Sequence, residues 1–153
     1  MVAPGAAEAP AFDGFVMLYN DDYPTCEETY ATLRIYHDEL NPDDVSSRLR
    51  LVPSDSQKKG QIIQAQREAP VGAWFMSSQD HVPSRDVGRH IVWIIDQLSG
   101  MEAMLKALQD EGYQIDLFCF WASANGHGGP ELSHEIMQRL SSLKLNLGFD
   151  VYC

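Results

Sequence analysis

A strand-like run, residues 115–122 with the sequence IDLFCFWA, most constrains how this chain can fold. Its side chains alternate between two faces with a period of two, and both faces are largely apolar. Residues 115–123 hold three aromatic side chains, which favours a pleated surface over a solvated helix. The run therefore predicts a central strand. Other elements cover it on both sides, or cover one side while aromatic side chains line the other.

A glycine-rich loop, NGHGGP at residues 125–130, follows this strand. Its glycines allow positive φ and its proline lacks an N–H donor, so regular structure stops there. Ser133 is a suitable N-cap and Glu135 places an acid in the first turn of a helix that reaches about Leu143. The segment thus predicts a strand, a tight loop and a capped helix.

The longest helical pattern begins at Ser84, the predicted N-cap, and ends at Gly112 as a C′ glycine. Gly100 is a predicted bend. The apolar residues between them, spaced three and four apart, predict one amphipathic helix of about six turns that packs across a sheet. This stripe consists of Val87, Ile91, Ile94, Leu98, Met101, Leu105 and Leu108.

Shorter patterns complete the chain. Alternation predicts strands at 30–36, 72–78 and 145–152, a weaker hairpin arm at 57–63, and a short edge strand at 15–19. Asn41 and Pro42 open a short helix.

The element order is β-α-β-β-α-β-α-β. It resembles a ferredoxin-like βαββαβ core with an extra C-terminal αβ, or two related half-units joined by the long helix. We expect an α+β domain over residues 15–153. Its single mixed or antiparallel sheet has about five strands, with helices mainly on one face. Residues 1–14, rich in Ala, Pro and Gly, are predicted to be a disordered tail.

The charge is strongly acidic, with 22 acids against 11 bases and a net charge of −11 in 153 residues. This argues against nucleic acid and anionic membrane surfaces as partners, whereas it favours solubility and allows a basic partner to be steered toward the chain. Three widely spaced cysteines without a CxxC motif indicate the reducing cytoplasm. No apolar run approaches the length of a membrane span. The oligomeric state is left open.

Candidate chemistry lies in two segments. The loop at 125–129 is either an anion-binding nest or a tight turn that needs glycine. Ser77, Ser78, Asp80 and His81 form a Ser/His/Asp set with the Ser123 loop if the two segments meet at one end of the sheet. The GxSxG, HExxH and CxxC motifs are absent, so we predict no catalytic residue, no metal and no cofactor.

Aromatic residues offer another site. The residues Trp74, Trp93, Trp121, Phe118 and Phe120 line a ligand groove on the sheet or, as we favour, form its core. The candidate binding residues are Asp80, His81, Trp121, Ser123, Asn125, His127, Gly128 and Gly129.

Four segments give the chain a family resemblance over residues 29–153: TYATLRIYHDELNPDDVSSRL, AWFMSSQDHVPSRDVGRHIVWIIDQL, EGYQIDLFCFWASANGHGGPELSHEIMQRL and LGFDVYC. They resemble the bacterial domain-of-unknown-function family 4279. The matching motif residues are chiefly Gly60, Trp74, Ser77, Gly112, Trp121, Gly128, Gly129, Leu132, Ser133 and Leu140.

The resemblance implies no established reaction. Some family members look like immunity proteins encoded beside secreted toxins, which implies a protein-binding module. The hypothesis is therefore a non-enzymatic acidic domain that binds a protein, in particular a basic toxin. The alternative is a small-molecule-binding domain or minor enzyme that uses the 121–130 loop and the 77–81 segment.

Overall fold

The structure, a computed structural model, describes residues 17–153. These residues form one five-stranded sheet and four α-helices. The strands are β1 (Cys26–His37), β2 (Asp55–Gln57), β3 (Gly72–Ser77), β4 (Gln114–Ser123) and β5 (Asn146–Tyr152). The helices are α1 (Pro42–Leu49), α2 (Val87–Gln97), α3 (Glu102–Asp110) and α4 (His134–Ser142).

The strand order is β2-β3-β1-β4-β5. β1 runs antiparallel to both of its neighbours, β3 pairs antiparallel with β2, and β5 lies parallel to β4. Because β3 is inserted between β1 and β2, the first βαβ unit is split, as in a ferredoxin-like core. Helix α4 and strand β5 extend that core at the β4 edge. The predicted α+β class and the first of the two predicted arrangements are confirmed.

One face of the sheet is covered by helices. Ala31, Leu33 and Ile35 of β1 are fully buried there, and they belong to one core with apolar residues from all four helices. Trp74 and Trp121 are also fully buried in this core. The indole N–H of Trp74 donates to Ser46 Oγ of α1 at 3.0 Å, so its one polar group is satisfied. These two tryptophans are core residues, as favoured from the sequence, whereas Phe118 and Phe120, which were also favoured for the core, are half-buried on the opposite face of the sheet.

The predicted long helix is two helices. Gly100, where only a bend was predicted, adopts φ +81° between α2 and α3, a left-handed conformation that ends the first helix. The N-cap of α2 is Asp86 rather than Ser84, because Asp86 Oδ1 accepts from Gly88 N at 2.9 Å. The Ser84 hydroxyl instead donates to Asp21 at 2.6 Å. Gly112, at φ +95°, follows α3 as predicted.

Two weak strand predictions were wrong in position. A hairpin arm was predicted at 57–63, but the strand in this region, β2, covers Asp55–Gln57. Within the predicted range Ile62 forms an isolated antiparallel bridge with Glu68. A strand was predicted at 15–19, but residues 17–19 do not form one. Met17 and Tyr19 pack against the core instead. Residues 15 and 16, and the predicted tail at 1–14, lie outside the described residues.

The longest α-helix of residues 17–153, α2, spans 11 residues. No helix there is both long and apolar enough to cross a bilayer.

Candidate functional site

The sheet face opposite the helices is open and aromatic. On it Tyr30 lies directly opposite Phe120, and their rings stack with centroids 5.2 Å apart. The ring of Tyr152 on β5 lies 5.3 Å from that of Phe120. The aromatic side chains on this face are half-buried or exposed. We call this surface the aromatic face, and its rings are Tyr30, Tyr36, Phe75, Phe118, Phe120 and Tyr152.

Arg34 lies at the centre of the aromatic face. Its guanidinium donates two hydrogen bonds, each 2.7 Å long, to the carboxylate of Asp116 on the neighbouring strand. The same group lies 4.2 Å from the centroid of the Phe118 ring and 5.6 Å from that of Tyr36. The hydrogen bonds to Asp116 raise the pKa of Arg34. The face therefore already holds one guanidinium by a bidentate pair and a cation–π contact.

The remaining charges on the aromatic face are acidic. Register places Asp55 beside Phe75, Asp150 beside Phe120 and Glu28 beside Ala122. With Asp116 these make four acids, and Arg34 is the one base at the strand positions of this face. Since Asp116 neutralises Arg34, the surface offers aromatic rings in an acidic setting.

The predicted 121–130 loop is held by its own hydrogen bonds. Ser123 Oγ accepts from Gly126 N at 2.9 Å and from Asn125 N at 3.3 Å, and it donates to the carbonyl of His127 at 2.7 Å. The carbonyl of Gly129 accepts from the Tyr23 hydroxyl at 2.8 Å. The inward N–H groups of Asn125 and Gly126 are thus occupied within the loop, which favours the tight turn over the anion nest.

The predicted 77–81 segment lies at the same end of the sheet, because β3 and β4 both run antiparallel to β1. Asp80 and His81 are exposed, and the His81 ring stacks on Trp93 at 4.7 Å. Trp121, by contrast, is fully buried. Within residues 17–153, no hydrogen bond or ring contact joins this segment to the 121–130 loop. The predicted residues form two separate groups.

A buried serine–histidine pair was missed at the sequence level. Ser78 Oγ lies 2.6 Å from His90 Nδ1, and His90 Nε2 lies 2.8 Å from the carbonyl of Ser84. A carbonyl only accepts, so Nε2 carries the proton and Nδ1 accepts from the serine hydroxyl. Ser78 Oγ also accepts from Ala31 N at 3.0 Å. Both side chains are buried, so the pair ties β1 to α2 and has no access to a substrate.

No three His, Cys, Asp or Glu side chains of residues 17–153 are placed to share a metal ion. Burial raises the pKa of Cys119 to about 12, so this thiol stays protonated at neutral pH.

Gly128 tests the structural role of the loop. It adopts φ +91°, and a Cβ there would lie 2.5 Å from the Thr25 side chain. We expect Gly128→Ala to lower the free energy of unfolding by about 2 kcal/mol, from backbone strain and steric overlap together. Denaturant unfolding measures this loss. Gly129→Ala is the control, because a Cβ there meets nothing within 4 Å. Equal stability of the two variants would contradict the assignment.

His90 makes stability depend on pH. Burial, the largest effect, lowers the pKa of His90 below its usual 6.5, although the hydrogen bond to Ser84 opposes this. The unfolded chain therefore binds the proton more readily, and the stability supplied by neutral His90 is lost as pH falls below 6.5 through the folded pKa. The free energy of unfolding is measured at pH 8 and at pH 5 for the wild type and for His90→Asn. It should decrease less between the two pH values in the variant than in the wild type. An identical loss in both would count against this assignment.

The sequence was compared with family models, with curated proteins and with solved structures, and a family model matches it. No curated protein and no solved structure matches the chain. One family model matches residues 27–153, which include all four helices and all five strands except Cys26, the first residue of β1. The chain belongs to the family described as Domain of unknown function (DUF4279).

Proposed function

We propose that this domain is non-enzymatic and binds a basic protein partner on its aromatic face. The proposal rests on that face, which has six rings on a side of the sheet that no helix of residues 17–153 covers. Clusters of accessible aromatic side chains are typical of protein interfaces, where they supply large contact areas at low conformational cost.

The charge of the face supports a basic partner. Glu28, Asp55 and Asp150 surround the rings, and the whole chain carries −11. A positively charged surface would be steered toward this domain and bound in a complementary field. An acidic partner would be repelled.

The stacked pair of Tyr30 and Phe120 offers a docking point for an arginine or lysine. Arg34 already lies over the Phe118 ring, so the face suits a cation above an aromatic ring. A partner cation over Phe120 would also lie near Asp150, the neighbour of Phe120 on β5. Arg and aromatic residues are frequent interface hot spots, which suits this combination.

Single-stranded RNA is the other ligand that stacks on aromatic side chains of such sheets. Its phosphates require lysine or arginine, and the one base at the strand positions of this face is bound to Asp116. The charge thus favours protein over nucleic acid.

The specific role we propose is neutralisation of a basic toxin in the cytoplasm. Support for the toxin comes from the resemblance to immunity proteins, and support for the compartment comes from the three free cysteines. The alternative, a small-molecule site or minor enzyme in the 121–130 loop and 77–81 segment, has no specific observation in its favour. The residues that line the cavity beside His81 include none from that loop.

The proposal is tested by measuring how tightly a variant of the aromatic face binds the partner. The partner is captured on the immobilised chain, identified by mass spectrometry and titrated calorimetrically. Tyr30→Ser with Phe120→Ser should weaken binding at least about tenfold, because the central anchor is removed. Raising salt from about 50 to 300 mM should also weaken the wild-type complex, since the attraction is electrostatic.

The control for this titration is Val52→Ser, which changes a side chain 84% exposed and outside the strands. It should bind as the wild type does, and circular dichroism should show both variants folded. Wild-type affinity in the double variant would contradict the proposed face. Binding that strengthens with salt would contradict the proposed basic partner.

A further inference from the structure

Strand β5 is an edge strand of the five-stranded sheet. It spans seven residues and, within residues 17–153, pairs only with β4. The opposite edge, β2, is protected by its short length of three residues. β5 contains no proline or lysine, and its sequence NLGFDVY has one charge, Asp150. A long edge of this kind is a template for another strand.

Apolar side chains are exposed along the same strand. Val151 is 46% exposed and Tyr152 is 54% exposed, while Leu147 and Phe149 are partly buried. Because β5 carries one charge, charge complementarity does not single out a basic strand as its partner. The occupant must instead match an apolar edge.

A second copy of β5 provides that match. In an antiparallel pair about a two-fold axis at Phe149, the middle residue of Asn146–Tyr152, all seven residues of each copy are paired. Each residue then lies opposite a residue of the other copy whose side chain is on the same face of the sheet. Val151 lies opposite Leu147 of the other copy, and Asp150 lies opposite Gly148. An axis at Asp150 would place like charges together, which is unfavourable.

We propose that two copies of this chain pair through β5 in this register and form one continuous ten-stranded sheet. The aromatic faces of the two copies then lie on the same side, with Tyr152 of each near the junction. This inference goes beyond the proposed partner binding and does not rest on it.

The net charge of the chain determines whether salt strengthens or weakens the dimer. Each copy carries −11, so long-range repulsion opposes pairing and salt screens it. The dimer should therefore strengthen with salt, whereas the complex with a basic partner should weaken. The two proposals can thus fail separately.

The first experiment is sedimentation of the full chain under reducing conditions, from about 5 to 500 µM protein and at low and high salt, a range suited to a small interface. We expect dimerisation that increases with concentration and with salt.

Val151→Lys should weaken the dimer at least about tenfold by placing a charge opposite Leu147. Val52→Lys, a change at an exposed residue outside the strands, should leave it unchanged. A monomer at every concentration, or a dimer that survives Val151→Lys, would overturn the proposal.

Disulfide trapping checks the register without depending on that variant. A chain with Asn146→Cys, Tyr152→Cys and Cys153→Ser should form a covalent dimer on oxidation, because directly opposed residues have the Cα separation of a disulfide. Residues 146 and 152 of one strand lie about 20 Å apart and cannot join each other. The other cysteines, Cys26 and Cys119, are buried. Asn146→Cys with Asp150→Cys and Cys153→Ser is the mismatched control. Equal trapping of both chains, or none in the matched chain, would overturn the register.

Discussion

The antiparallel ladder between β1 and β4 is the interaction on which the rest of the structure depends. It runs from Cys26 opposite Ser123 to Tyr36 opposite Gln114, and it fixes which side chains share a face. On one face it builds the core under the four helices, with Leu33 opposite Leu117. On the other face it places Tyr30 opposite Phe120 and Arg34 opposite Asp116. A slip of one residue would exchange the two sets, so core burial also fixes the register of the aromatic face.

Local chemistry made much of this architecture predictable. Asn41 and Ser133 cap their helices as expected, because a side-chain oxygen bonds nearby N–H groups wherever the chain enters a helix. The alternation at 115–122 also predicted a strand, but it left open whether other elements cover both faces or aromatic residues line the second one. Ser84 was misassigned as a cap since its hydroxyl bonds Asp21, which is distant in sequence. Gly100 ended a helix where an unbroken apolar stripe indicated continuity.

The interaction surfaces were harder to predict because strand pairing assembles them. Tyr30, Phe75 and Tyr152 come from three separate strands, and nothing in their spacing shows that they share a face. The glycines and histidine of the 121–130 loop attracted notice as a local motif, yet the contacts of Ser123 and Gly128 give that loop an architectural role. In this fold the aromatic face is built by the strands, and the glycine-rich segment follows the end of β4.

In the free protein the aromatic face is accessible, whereas Trp74 and Trp121 of the core are not. Hydroxyl-radical footprinting of the full chain, read by mass spectrometry, tests this most directly because oxidation rates follow side-chain exposure. We expect oxidation of Tyr30, Phe118, Phe120 and Tyr152, with Trp74 and Trp121 protected. Protection of Tyr30 and Phe120 equal to that of the two tryptophans would contradict it.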